Sequence, residues 1–515
     1  MAKYRQKYII RAIPLVWVVL ILMGCAINPV TGQQELALMP EGMEIHLGEK
    51  KYAPSRQMHG GDYRLDSELS RYVNDVGQRL AAVSDRQLPF EFTVLNNSTP
   101  NAWALPGGKI AINRGLLLEL KSEAELAAVL GHEIVHAAAR HGARRLERGL
   151  FLNGALLVVA VVMGSGDYSA LALGGAGMGR ELINQGYSRK AELEADRYGI
   201  VYMIRAGYDP RAAIGLQETF LRLAKEKRSN WLSGLFAGHP PSEERVKQNK
   251  ATVAALKPEN GIVGAARYRK KIAHLLKLKP AYEAYENGRR ALKKGDYRTA
   301  KGQASEALRI EPREALFSCL LGDALTATGD QLRAMTCYND AVEKDAVFFR
   351  HYLQRGLLSL KLGQRQHARQ DLEKSLKLLP TADANHGMGH LTLAEGREHK
   401  AIRYFRKAAD SPSEAGKAAA LMLHRLDLPG NPDRYLKTSL KRRKGCLEII
   451  IQNPTSVPIT RLDLMVEKDK QKKSFTISQT IPPGERLKYQ TDVKIAKHKE
   501  LYRWRVTLEK ATVGQ

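Results

Sequence analysis

Two short stretches hold the residues best suited to chemistry. The first is His132-Glu133-Ile134-Val135-His136. Histidines four apart on a helix project from one face, roughly 5–6 Å from each other, so both imidazoles can reach one divalent ion. Glu133 can serve as general base toward a water that the ion polarises. The second stretch is Glu192-Leu193-Glu194-Ala195-Asp196. Glu192 and Asp196 share a helical face, while Glu194 is rotated by about 200° from Glu192. One acid can bind the ion beside His132 and His136 while the other accepts a ring N–H from a ligating histidine. Glu192 is assigned as the ligand and Asp196 as the acceptor, toward His132. A third histidine on an extended motif would require Gly at 139 and His at 142, where the chain has Ala139 and Gly142. His141 falls on the wrong face of a continuous helix.

The elements that must position these groups are legible nearby. Ser122 to Arg140 reads as one helix. Ser122 and Glu125 form a capping-box pattern, and Leu126, Val129, Leu130, Ile134 and Val135 recur at helical spacing. Two histidines and a glutamate on so apolar a helix are costly to bury without a partner. Asn101 to Ile110 alternates and contains a Pro-Gly-Gly turn, which predicts a strand and hairpin. Residues 150–164 are almost wholly apolar. That run is short of the ~20 residues a bilayer span needs and reads as a buried helix, with a membrane-dipping hairpin as the alternative. The glycine-rich stretch 164–179 reads as a flap over the cleft or a loose connection.

Together with Tyr187-Ser188-Arg189-Lys190-Ala191, which leads into the second motif, these segments resemble the gluzincin peptidases of family M48. That group includes HtpX, Oma, the CAAX-prenyl endopeptidase and the BepA-type periplasmic members. The resemblance spans about residues 26–260. It implies an α+β metalloprotease domain with one Zn2+ per chain on His132, His136 and Glu192, hydrolysing peptides with Glu133 as base. It also implies that Asn101, Ala102, Trp103 (where Phe is more usual) and Ala104 pair with extended substrate backbone. Gly238 to Arg245 resembles the family's later His-Pro segment. His239 is thereby a candidate fourth ligand that covers the zinc as a gate, and Tyr187 and Arg245 are candidate oxyanion contacts.

The rest of the chain bounds the setting. A length of 515 residues implies several domains. Four cysteines exclude a disulfide-built scaffold, and Cys319 and Cys337 read as small buried residues of adjacent helices. Lys3, Arg5, Lys7 and Arg11 precede an apolar run ending in Leu22-Met23-Gly24-Cys25. This reads as a signal peptide over 1–24, and its end resembles a bacterial lipobox, which implies lipidation of Cys25. Ala26 then favours, by resemblance to enteric sorting rules, the periplasmic side of the outer membrane in a Gram-negative envelope. Residues 281–414 repeat at a period near 34 and resemble tetratricopeptide repeats, an α-solenoid for protein partners. Residues 441–515 read as a small β-sandwich with strands at 446–451, 461–466 and 501–508.

The expected order is therefore signal peptide 1–24, zinc metalloprotease 25–260, basic linker 261–280, repeats with a capping helix 281–440, and β-sandwich 441–515. The whole is multidomain and mainly α. The formal charge is +27, of which residues 441–515 carry +9 while residues 25–260 carry +2. An anionic surface is thus expected to meet the C-terminal half, and nucleic acid is excluded by the export signal and the lack of a nucleic-acid motif. The functional expectation is a zinc endopeptidase for misfolded or stalled envelope proteins. The rival is a repeat-based chaperone or assembly scaffold at the outer membrane whose zinc site is gated or little used.

Overall fold

Apolar periodicity places a helix at the centre of the N-terminal half. The structure, a computed structural model, describes residues 25–152, 186–225, 238–469, 471–496 and 498–514. The expected leader and residues 153–179 of the apolar and glycine-rich stretch lie outside them. Among the described residues no helix is long and apolar enough to cross a membrane. The fold is mostly helical, with tetratricopeptide-like helix pairs and small sheets, and it divides into two units after Phe348.

In the first unit, β1 (Cys25–Ile27) and β2 (Gln34–Leu36) form a short ladder ahead of α1 (Glu41–Met58) and α2 (Ser67–Ala81). A three-stranded sheet follows, from β3 (Glu91–Leu95), β4 (Ala102–Leu105) and β5 (Lys109–Asn113), in the order β3-β5-β4. The central β5 runs parallel to β3 and antiparallel to β4. Next come α3 (Arg114–Leu117), α4 (Glu123–Ala138), α5 (His141–Leu152), α6 (Arg189–Arg205), α7 (Arg211–Lys225) and α8 (Glu243–Leu256). Every residue of α4 is buried, as a central helix requires. Ser122 caps it by accepting from the Glu125 N–H at 3.1 Å, and Glu125 Oε2 accepts from the Lys121 N–H at 2.6 Å. A β-carbon on Gly199 would lie 3.1 Å from the His132 nitrogen. Glycine at this crossing lets α4 and α6 approach closely, and so brings the two chemical motifs face to face.

The stretch 261–280 is not a linker. It forms α9 (Ala265–Lys271) and α10 (Ala273–Lys277), and Tyr268, Ile272, Leu275 and Leu278 are all buried. Tyr268 donates its hydroxyl to the Leu117 carbonyl at 2.6 Å, and Arg267 pairs with the buried Glu123. An apolar stripe at helical spacing was present in the sequence, overlaid by six cations that face outward.

Helix pairs α11 (Lys279–Lys293) with α12 (Tyr297–Ile310) and α13 (Ala315–Ala327) with α14 (Gln331–Lys344) complete the first unit. They are not independent of the sheet. Glu314 accepts from Asn96 Nδ2 at 3.0 Å and from the Tyr282 hydroxyl at 2.6 Å. The fully buried Arg114 lies 3.2 Å from the centre of the Tyr282 ring and donates to Asn96 Oδ1 at 2.7 Å. This polar knot is why the first two repeats group with residues 25–260, across the boundary expected at 281.

The second unit holds α15 (Phe349–Lys361) with α16 (Arg365–Leu378), α17 (Ala382–Ala394) with α18 (Glu398–Ala409), and the capping helix α19 (Glu414–Leu426). Six strands follow: β6 (Lys437–Arg443), β7 (Cys446–Gln452), β8 (Ile459–Lys468), β9 (Gln471–Ile477), β10 (Arg486–Lys494) and β11 (Arg505–Val513). They form two antiparallel sheets, β10-β7-β6 and β11-β8-β9, around a core that includes Ile449, Ile451, Leu464 and Val466. The boundary expected at 441 falls inside β6. Residues 501–503 are the end of a 3-10 turn, not part of the last strand.

Asp427, just past α19, ties repeat to sandwich. It accepts from the Tyr435 hydroxyl at 2.6 Å and from Arg406 at 3.0 Å. Burial alone would raise its pKa, but these donors hold it below the usual carboxylate range. A depressed pKa contributes stability above the unfolded value, near 3.9, and that contribution is lost as pH falls through the folded value. Asp427→Asn should therefore destabilise the protein by about 1–3 kcal/mol at pH 7, and the gap should shrink in urea unfolding below about pH 4.

Candidate metal centre

The site is assembled by α4 and α6, with the turn before α8 closing it. His132 Nε2 lies 3.0 Å from His136 Nε2, 3.2 Å from His239 Nδ1 and 3.5 Å from Glu192 Oε2. Glu192 Oε1 lies 3.4 Å from His136 Nε2 and 3.1 Å from His239 Nδ1. Five of the pairs among the four groups span 3.0–3.5 Å, taking the nearer Glu192 oxygen, and one donor atom from each lies within 4.8 Å of the others, a cluster able to close on one small ion. The donor chemistry, three imidazoles and a carboxylate, suits zinc.

The supporting contacts fix which nitrogen faces the centre. His132 Nδ1 lies 2.9 Å from Asp196 Oδ1, which leaves Nε2 as a lone pair. Arg245 in turn grips Asp196 with two bonds of 2.7 Å and reaches Glu192 at 2.9 Å. Burial would raise the Asp196 pKa, but Arg245 and His132 hold it below the usual carboxylate range. Arg245, expected as a candidate oxyanion contact, is engaged in this structure by Asp196 and Glu192.

On His136 the structure brings in two residues that helical phase had set aside. His136 Nδ1 lies 2.8 Å from His141 Nδ1, and His141 Nε2 lies 3.1 Å from Glu194 Oε2. With Glu194 accepting from Nε2–H, His141 offers a lone pair to the His136 Nδ1–H, and His136 Nε2 is freed toward the centre. The expectation of one helix to Arg140 fails because α4 ends at Ala138 and Arg140 is left-handed, with φ 61°. That break turns His141 back toward His136. Arg140 is held in this conformation by the buried Glu44 and by the Met39 carbonyl. A non-glycine left-handed residue beside a metal motif was not readable from helical spacing.

Glu133 is buried. Oε1 lies 3.5 Å from His239 Nε2, and Oε2 has no hydrogen-bond partner among the described residues. Burial pushes its carboxyl up, toward the range useful to a base. A cavity of about 40 Å³ adjoins Glu133 and His132, lined also by Ala102, Val129, Ile200 and Phe220. It has room for roughly three waters. Tyr187 stacks on His136 with ring centres 3.8 Å apart, so it walls the site from the side. Ala102 and Ala104 lie on β4, an edge strand of the sheet, while Asn101 accepts the Asn113 N–H through its carbonyl. Trp103 turns its ring inward against Tyr52 at 6.0 Å.

Residues 67–253 match the model for peptidase family M48. The chain carries an M48 peptidase domain. Residues 350–381 match a tetratricopeptide repeat. Relatives of the M48 region include the beta-barrel assembly-enhancing protease of Escherichia coli, 30% identical over 42% of this chain and 45% of the relative. The corresponding protein of Yersinia pestis is 31% identical over 38% of this chain and 40% of its own length. Mitochondrial metalloendopeptidase OMA1 of Schizosaccharomyces pombe is 36% identical over 36% of this chain and 55% of its own length. The chain thus spans about half or less of the length of these relatives.

The two supports of the M48 centre are separable. Asp196→Asn and His141→Ala should each weaken zinc binding by about 10–100-fold in competition with a chromophoric chelator. Asp75→Asn, on a helix away from the site, should leave affinity unchanged.

Proposed function

We propose that the chain is a zinc endopeptidase of the bacterial cell envelope whose centre is closed at rest by His239. The observation that carries this is the convergence of His132, His136, Glu192 and His239 with the unpartnered Glu133 Oε2 beside them. When bound, zinc supplies Lewis acidity that acidifies water and polarises a peptide carbonyl. Glu133 takes the proton from the attacking water and returns it to the leaving amine. Asp196 and His141 hold the two imidazoles in the tautomers that face inward, and Arg245 keeps Asp196 ionised while it bridges to Glu192. Among the described residues β4 is a buried edge strand, and opening of the site would let its backbone pair with an extended substrate, an affinity with little demand on its sequence.

A catalytic zinc needs an open position, and three histidines with one carboxylate fill a tetrahedron. His239 is the movable member, since it comes from the turn His239-Pro240-Pro241 and not from α4 or α6. The same closure supports the second reading, a repeat-based assembly scaffold whose site is rarely opened. Substrates are assigned as unfolded or stalled envelope proteins, a reading supported by the names of the bacterial relatives and the lipobox-like Cys25. The repeats would then receive protein partners.

Glu133→Gln should retain stoichiometric zinc and lose at least about 100-fold in cleavage of an unfolded outer-membrane polypeptide. Undiminished cleavage would refute the base assignment, and full rescue of a null phenotype by this variant would favour the scaffold. His239→Ala should raise cleavage while zinc is kept, as measured by turnover and metal analysis together. Loss of zinc in His239→Ala would make that residue a structural ligand.

A further inference from the structure

The two sheets of the C-terminal sandwich present outer faces of different electrostatic design. Strand register shows this directly. On β11-β8-β9, cations are matched across strands: Arg505 stands opposite Glu467, Lys510 opposite Asp463, and Lys472 opposite Glu467. On β10-β7-β6 the outward rows are Arg486-Gln452-Lys437, Lys488-Ile450-Ser439, Gln490-Glu448-Lys441 and Lys494-Cys446-Arg443. Their inward neighbours, Leu447, Ile449 and Ile451, point into the core. The face therefore carries Lys437, Lys441, Arg443, Arg486, Lys488 and Lys494, all exposed, while its strands hold two acids, Glu448, which pairs with Arg443 at 2.9 Å, and Asp492 at the β10 register shift, which pairs with Lys473 of β9. None of the other five has a carboxylate within 4.0 Å among the described residues.

Rows in a sheet stand about 4.8 Å apart, and residues of one face recur about every 6.8 Å along a strand. Five cations at such spacing repel one another unless a partner neutralises them. Lysines on an edge strand also discourage strand addition. That role explains β6 but not the matching cations of β10 on the same face, nor the cross-strand pairing of cations with Glu467 and Asp463 on the opposite sheet.

We infer that the outer face of β10-β7-β6 docks on an anionic membrane surface. The face has no aromatic side chain in its outward rows, so it lacks the stacking platform that single-stranded nucleic acid requires. Four of its six cations are lysines, point charges on flexible stems that suit a fluid layer of headgroups better than the planar forks that read individual carboxylates. The inference is independent of the zinc site, which lies in the other unit.

The test uses the full chain carrying Cys25→Ser, so that no acyl chain is attached. Binding is measured to vesicles of phosphatidylethanolamine with 30% phosphatidylglycerol (a composition chosen for the assay, about one anionic lipid in three) and to vesicles of phosphatidylcholine alone. Two variants remove the same charge: K437Q/K441Q/R486Q/K488Q on the docking face and R461Q/K472Q/R505Q/K510Q on the opposite sheet. The parent should prefer anionic vesicles, the first variant should lose that binding by about tenfold or more, and the second should stay within about twofold. Circular dichroism and a thermal melt establish that both variants fold. Equal losses in the two folded variants would reduce the effect to net charge and overturn the inference. Equal binding of the parent to both vesicles would overturn it in favour of an acidic protein partner.

Discussion

Crowding of lone pairs in a dry interior is the constraint on which the M48 domain turns. Three imidazole nitrogens and a carboxylate lie within 4.8 Å of one another where α4, α6 and the turn before α8 meet. Each group would be better solvated in water, and buried polar atoms are tolerated only when paired. The fold accepts the crowding because three of the four donors are backed from outside. Asp196 holds His132, His141 and Glu194 hold His136, and Arg245 bridges Asp196 and Glu192. A cation bound at the centre would complete the neutralisation from within.

Much of the remaining architecture serves that crossing. Gly199 lets α6 press against α4, which sets the separation of the two motifs. Ser122 starts α4, and Arg140, locked by Glu44, stops it in time for His141 to fold back. The sheet supplies an edge strand beside the centre, and the Arg114–Tyr282–Glu314 knot fastens the first repeats behind that sheet. In this unit the repeats share buried polar groups with the sheet, so a disturbance there reaches elements that carry the site.

What was legible in the sequence follows from the range of each interaction. His132, His136, Glu192 and Asp196 were readable because helical spacing alone puts each pair on one face. The repeats were readable because small and large residues recur at a fixed period. His141 and Glu194 were not, since their meeting depends on one left-handed residue that no periodicity announces. Helices α9 and α10 were hidden by their own outward charge. Strands β6, β9 and β10 were hidden for the same reason: Lys437–Arg443, Gln471–Ile477 and Arg486–Lys494 place polar or basic residues at most positions, and their pairing is set by the apolar β7 and β8. His239 was reached only through family resemblance, because a turn histidine before two prolines carries no local signal of its target.

The central claim is that these four side chains bind one zinc as a closed tetrahedron at rest. Zinc K-edge X-ray absorption on the resting full-length protein tests it most directly. The account predicts one zinc per chain with four nitrogen or oxygen ligands at about 2.0–2.1 Å and a multiple-scattering signal from three imidazoles. A sulfur shell, six-coordination, or only two imidazoles in that resting spectrum would contradict it.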